Sequence, residues 1–336
     1  MIKPNFLLII ILCISTSANA QFQMKVNLEA GYHFNLGDSI INKTNSIYRL
    51  SGILKYKTRK KNTVAKLLLK IRPEIFNNQL GSVKINPEGT FFYFTGKTIW
   101  KSFLSIQHNQ YYLNNKNSSY NTFAFINGAQ FNLTNSFPLD ISFGYSYQNI
   151  NFGSSVNSDF LFLSGLTKNR IDNYFVWSYG LFIQNFTTKT EIAKGNKNIK
   201  STGWMYGPQV KLHYLKKIIF DAEYKFLLEN SNFISYPSFE HQINLLAGFM
   251  LNKKISFFLL ADLYIRRIIL KNKTTESDPV FYSPTQNENQ LFFKASYKFI
   301  RNASIYFKTG YFNENIFLNN IKIEGINFFL GFEYKP

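Results

Sequence analysis

Residues 139–148 read LDISFGYSYQ. Leu139, Ile141, Phe143, Tyr145 and Tyr147 alternate with Asp140, Ser142, Gly144, Ser146 and Gln148. Successive side chains of a strand point to opposite faces, so this segment has one large apolar face and one small polar face. A helix would scatter both sets around its axis. The segment reads as a two-faced strand, and the fold follows from how often it recurs.

It recurs nearly from end to end. In QMKVNLEAGYHF (23–34), Met24, Val26, Leu28, Tyr32 and Phe34 oppose Lys25, Asn27, Glu29 and His33. In IIFDAEYKFLLE (218–229), Ile218, Phe220, Tyr224 and Phe226 oppose Asp221, Glu223 and Lys225. In QLFFKASYKF (290–299), Leu291, Phe293, Ala295, Tyr297 and Phe299 oppose Lys294, Ser296 and Lys298. About 16 such segments are expected, most near the ten residues that a tilted strand needs to cross a bilayer, with fourteen as the alternative count. The segments at 63–98 are the least regular, and Pro73 suits a strand end better than a ladder interior.

The connections alternate in length. Short turns are expected near Arg59–Asn62, Gly96–Lys97, Thr134–Pro138, Lys168–Asp172, Leu215–Lys217, Asn252–Lys254 and Ile300–Asn302. Longer Asn-, Ser- and Lys-rich loops are expected at 35–46, 73–89, 113–119, 151–158, 187–201, 229–239, 271–288 and 313–320. An up-and-down barrel with short turns at one end and long loops at the other has this signature.

The 336 residues carry a net charge of +19 and are 18% aromatic, with 36 Phe and 21 Tyr. Residues 1–20 read as a signal peptide: Lys3, the apolar run FLLIIILCI (6–14) and the cleavage site Ala18-Asn19-Ala20. Cys13, the single cysteine, follows the bulky Leu12 and does not make a lipidation site. Residues 21–336 are then one cysteine-free domain with neither disulfides nor thiolate metal sites. Beyond Ala20 the longest apolar run, Ile255–Ile265, is broken by Asp262, which excludes a bundle of membrane helices.

A polar alternate face excludes a parallel sheet buried on both sides. A soluble sandwich would turn the apolar face inward; a membrane barrel turns it outward to lipid. Aromatics toward the strand ends favour the barrel as interfacial girdles: Trp100, Trp177, Tyr214 and Tyr334 at one edge, and Tyr147, Trp204 and Tyr206 at the other. The fold class is all-β, a single transmembrane antiparallel up-and-down barrel.

The leader, the alternation over 23–335 and the terminal GFEYKP resemble the outer-membrane β-barrel proteins of Gram-negative bacteria. That resemblance implies an outer-membrane location, periplasmic termini, contact with outer-membrane lipid, and insertion by the barrel-assembly machinery. Gly331, Phe332 and Tyr334 match the terminal signal which that machinery reads, although the chain ends on Lys335-Pro336 rather than on an aromatic.

The inward row is expected to carry Arg49, Lys55, Lys70, Arg72, Lys211, Lys225, Arg266, Lys294, Lys298 and Lys308, with Lys25, Lys57, Lys66 and Lys101. Its acids are Glu29, Asp140, Asp159, Asp221, Glu223, Asp262 and Glu333, so bases outnumber acids about two to one. A pore lined this way favours small anionic solutes. Leu246, Met250, Phe258, Leu260, Phe292 and Tyr306 share that row, which implies local filling of the bore, an apolar path or a register slip. The basic residues are too dispersed for nucleic acid. None of His33, His108, His213 and His241 has a serine two residues away, and no catalytic, metal or cofactor motif is present. The sequence therefore points to a porin-like passive channel or transporter, with a non-conducting structural or secretion-associated barrel second and an outer-membrane lipid hydrolase third. Nothing marks an oligomer interface.

Overall fold

The computed structural model describes residues 21–36, 45–76, 80–113, 116–134, 137–151, 155–192, 197–232, 238–267, 288–316 and 321–336; the expected leader lies outside them. Sixteen antiparallel strands form one closed barrel, each paired with its chain neighbours, and β1 (Gln21–Asn35) closes on β16 (Ile321–Tyr334) from Val26↔Tyr334 to Asn35↔Gly325. The other strands are β2 (Asn45–Lys60), β3 (Thr63–Phe76), β4 (Leu80–Thr95), β5 (Thr98–Leu113), β6 (Lys116–Thr134), β7 (Phe137–Asn151) and β8 (Ser155–Arg170). They continue as β9 (Phe175–Ile192), β10 (Lys197–Leu215), β11 (Ile218–Ser231), β12 (Ser238–Met250), β13 (Ile255–Arg267), β14 (Glu288–Ile300) and β15 (Ala303–Ile316).

The outward rows form a continuous apolar belt. On β7 it runs from Leu139 to Tyr147, eight steps or about 27 Å along the strand, which is about 20 Å of height at ordinary barrel tilt. Beyond the belt, at the loop end, the outward rows of β5 to β9 and β11 carry His108, Asn121, Asn149, Asn157, Asn185 and Asn230, although Phe34, Ile75 and Tyr112 also stand exposed there. At the turn end the belt reaches almost to the turns, with Trp100, Phe220 and Tyr334 outward there. The strands therefore protrude on the loop side only. That explains why they are 13 to 19 residues long rather than near ten. Inside the belt, outward polar atoms pair with each other, as Ser102 donates to Asn127 at 2.7 Å.

Segment 73–89, expected as a loop, is mostly strand: β3 runs to Phe76 and β4 starts at Leu80. Prolines hid it. Pro73 keeps its partner Val83 on β4, but the β2–β3 ladder skips from Arg49↔Glu74 to Gly52↔Ile71 beside it. Pro87 and Pro208 lie at equivalent gaps facing β5 and β11. Each lacks an N–H, and one ladder lapses locally while the other holds the strand. Most of the other expected loops are likewise shortened by strand; nearly all of 271–288 lies outside the described residues.

The turn end is fixed by side-chain chemistry. Asp172 Oδ1 accepts the N–H groups of Tyr174 (2.6 Å) and Phe175 (2.7 Å), which hold its carboxyl below the ordinary carboxylate range. Asn252 does the same for Lys254 and Ile255. Gly96 supplies φ +53° at the β4–β5 turn.

Placing arginine at Phe143, the centre of the belt on β7, is expected to cost about 2–4 kcal/mol of stability. Arginine at Gln107, on a lumen-facing row, is expected to change stability by less than about 1 kcal/mol. Reversible urea unfolding in lipid vesicles measures both, and equal costs would contradict the assigned faces.

Candidate functional site

The lumen is where the structure collects its charge. Every expected basic residue stands on an inward row, and Arg266 does so by its pairing with Glu240, its side chain being outside the described ones. Asp159 is the exception among the acids. It faces outward, just above the belt, where it accepts the Tyr145 hydroxyl at 2.6 Å. The reason is register: on β8 the inward row is Ser158, Phe160 and Phe162.

Two halves of the bore differ. In the loop half, charge is buried and paired. Glu74, only 2% exposed, is held by Arg49, by Arg72 at 3.0 Å, by Lys84 at 3.4 Å and by the Ser82 hydroxyl at 3.1 Å. Glu29 takes Arg49 at 3.1 Å, Lys308 at 3.8 Å and the Tyr306 hydroxyl at 2.8 Å. Nearer the turn end, Glu333 takes Lys25 at 2.7 Å and Lys294 at 3.3 Å. Buried charges persist only when partnered, and here each carboxylate has two or three cations.

Aromatic rings fill the space around these pairs. Tyr111, Phe292, Phe312 and Phe329 form one buried apolar cluster inside the barrel. The Lys84 ammonium lies 5.7 Å from the Tyr111 ring and 6.0 Å from the Phe312 ring, although β15 is five strand steps from β4 round the wall. The bore is therefore bridged at this level. A second inward cluster, Phe160, Phe182, Phe186, Met205 and Leu227, fills the β8–β11 side. Of the apolar residues expected on the inward row, Leu260 packs on the first cluster, and Phe292 and Tyr306 are buried; the described register shift on β14 occurs only at its turn, between Lys298 and Ile300. Local filling is the outcome.

Glycines make room for these rings. Gly144, Gly203 and Gly331 face Phe162, Phe186 and Tyr306 on the paired strand, and a Cβ on any of them would come within 2.3–2.6 Å of a ring atom. At Gly331 the absent Cβ lets Tyr306 lie flat and reach Glu29.

In the turn half, Lys55, Lys57, Arg59, Lys66, Lys101 and Lys298 are exposed to the lumen. Three neighbouring cavities lie mostly along the β1–β8 wall. One of about 590 Å³ reaches up to Lys84 and Asn109, and one of about 280 Å³ shares Glu88 with it. A third, about 380 Å³, shares Lys57 and Lys66 with the second.

Glu74, Lys84, Glu88 and Lys168 were not legible as lumen residues, because proline or turn residues masked their segments. The signal was present: Val83, Ile85 and Pro87 alternate with Ser82, Lys84, Asn86 and Glu88. The girdle candidates all stand outward, with Trp100, Trp177, Tyr214 and Tyr334 toward the turns and Tyr147, Trp204 and Tyr206 at the loop edge. Gly331 faces inward and Phe332 outward. Among the described residues, His33, His108, His213 and His241 hydrogen-bond Asn327, Asn121, Asp221 and Tyr224, never a serine, and no cluster of three or more metal-ligating side chains occurs.

No protein-family model and no curated protein matches the chain. Among solved structures, similar folds include a bacterial polysaccharide outer-membrane secretin, at 7% identity over 94% of this chain and 98% of that one (TM-score 0.39). OccAB3 of Acinetobacter baumannii aligns at 8% identity over 95% and 99% of the two chains (TM-score 0.42). A ferric enterobactin receptor mutant of Pseudomonas aeruginosa aligns at 7% over 95% and 82% (TM-score 0.45). Likenesses of this order say nothing of solute or mechanism.

Glu74→Gln leaves Arg49, Arg72 and Lys84 facing one another without their shared anion. The expected cost is about 3–5 kcal/mol, read from urea unfolding of the reconstituted protein. A neutral result would remove Glu74 from its central place in the network.

Proposed function

We propose that the chain is an outer-membrane channel for small solutes, with its turn end in the periplasm and a preference for anions. The observation that carries the reading is a set of three neighbouring cavities, mostly along β1–β8, which leaves space walled in part by charged side chains beside a bore otherwise filled with aromatic rings. Two features support the orientation: polar strand extensions at the loop end only, and both termini at the turn end, where Gln21 pairs with Lys57 and Tyr334 with Ala303. The apolar belt supports lipid as its surroundings. The anion preference rests on the exposed cations that line the turn half. The girdle and C-terminal residues fit roles in seating the barrel and in its recognition by the assembly machinery.

The bridge between Lys84 and Phe312 favours a second reading, a barrel closed to solutes that serves a structural role. Conductance decides between them. Purified folded protein in a planar bilayer is expected to give discrete steps, with a reversal potential in a salt gradient that shows anions passing more readily. Absence of steps would sink the channel and leave the closed barrel. Phe312→Ala is expected to enlarge each step, since it removes one side of the bridge; an unchanged step would place the narrowest point elsewhere.

A further inference from the structure

We propose that the turn-end cavity binds organic anions that join a phosphate or carboxylate to an aromatic ring. The proposal rests on the channel reading for its role, and on the cavity alone for its chemistry. Two independent features meet there.

The first is an excess of positive charge. Lys57 and Arg59 of β2, Lys66 of β3 and Lys101 of β5 converge on a space of about 380 Å³. Among the described residues, no carboxylate lies within 4 Å of any of the four, whereas the lumen cations of the loop half are paired. Asp140 lines the same space, but Lys168 engages it at 3.0 Å. Four like charges around a common space repel, and an anion seated among them relieves that repulsion. Arg59 adds a planar fork suited to two oxygens of a phosphate or carboxylate.

The second feature is an aromatic wall. Phe92 and Phe94 face the lumen on β4, their rings stacked with centroids 6.5 Å apart and planes 22° apart. Phe94 is 40% exposed, and the Lys66 ammonium sits 5.3 Å from the Phe92 ring. Phe94 thus stands exposed and Phe92 half-buried beside the cations. Inorganic phosphate would use the cations and leave the rings wet; a neutral aromatic would do the reverse. A ring with an anionic substituent uses both, and the volume lies at the small end of the range for ligand pockets, the size of a one-ring molecule.

Titration calorimetry on detergent-folded protein tests this with three probes: phenyl phosphate, inorganic phosphate and phenol. Phenyl phosphate is expected to bind at least about tenfold more tightly than either of the others, more weakly as salt is raised. Arg59→Gln and Lys66→Gln are each expected to weaken it roughly tenfold. Phe92→Leu combined with Phe94→Leu is expected to abolish the preference over inorganic phosphate while phosphate binding remains. Heat-modified migration in gels checks that each variant is folded. Equal binding of phenyl phosphate and phosphate, or binding indifferent to these variants, would overturn the site. Binding does not require conduction, so the two readings fail separately: a barrel that binds phenyl phosphate yet gives no steps loses the channel and keeps the site, and one that conducts without binding keeps the channel and loses the site.

Discussion

Hydrocarbon offers no partner to an unpaired N–H or C=O, and this one constraint organises the molecule. A sheet placed in lipid must close, because each open group along its edge would cost several kcal/mol. The β1–β16 ladder accomplishes that closure by joining the two ends of the described chain: Val26 with Tyr334, Asn35 with Gly325. Closure then sorts the side chains. One row of every strand becomes the belt, and the other is confined to a bore whose contents must satisfy each other.

The two halves of the bore solve that problem differently. Where charge is buried, carboxylates are outnumbered by the cations around them, and rings pack against the ammonium and guanidinium groups: Arg49 over Phe329 at 4.7 Å, Lys308 over Phe292 at 4.2 Å, Lys294 over Tyr306 at 3.7 Å. Arg49 over Phe329 ties β2 to β16, and Tyr306 and Lys308 tie β15 to Glu29 of β1, so the closing seam is cross-linked beyond its ladder hydrogen bonds. The glycine at 331 serves the seam directly, because a side chain there would lift Tyr306 off Glu29. In the turn half, Lys55, Lys57, Arg59, Lys66, Lys101 and Lys298 face water instead, and the lumen keeps its space.

Alternation alone made the fold legible, from LDISFGYSYQ outward, because a period of two with one apolar face leaves only a sandwich or a barrel, and the aromatic edges chose between them. The inward basic row followed from parity. What parity could not give was partnership: that Arg49 touches Glu74, or that Lys84 reaches Phe312, depends on strand order and barrel cross-section, neither of which is written in local sequence. Residues 73–89 were misread as a loop because Pro73 and Pro87 are turn signals taken singly, yet each needs only one intact neighbouring ladder. Asp159 was misplaced because the polar strand extensions above the belt break the rule that outward means apolar.

The central claim is the direction in which the two rows of β7 look. Positions 141, 142, 143 and 145 can each carry a single cysteine with a fluorescent label, in protein reconstituted into vesicles. Quenching by brominated acyl chains is expected at Ile141, Phe143 and Tyr145, and quenching by aqueous iodide at Ser142. The reverse pattern, iodide at the apolar row and lipid at Ser142, would contradict the account at its root.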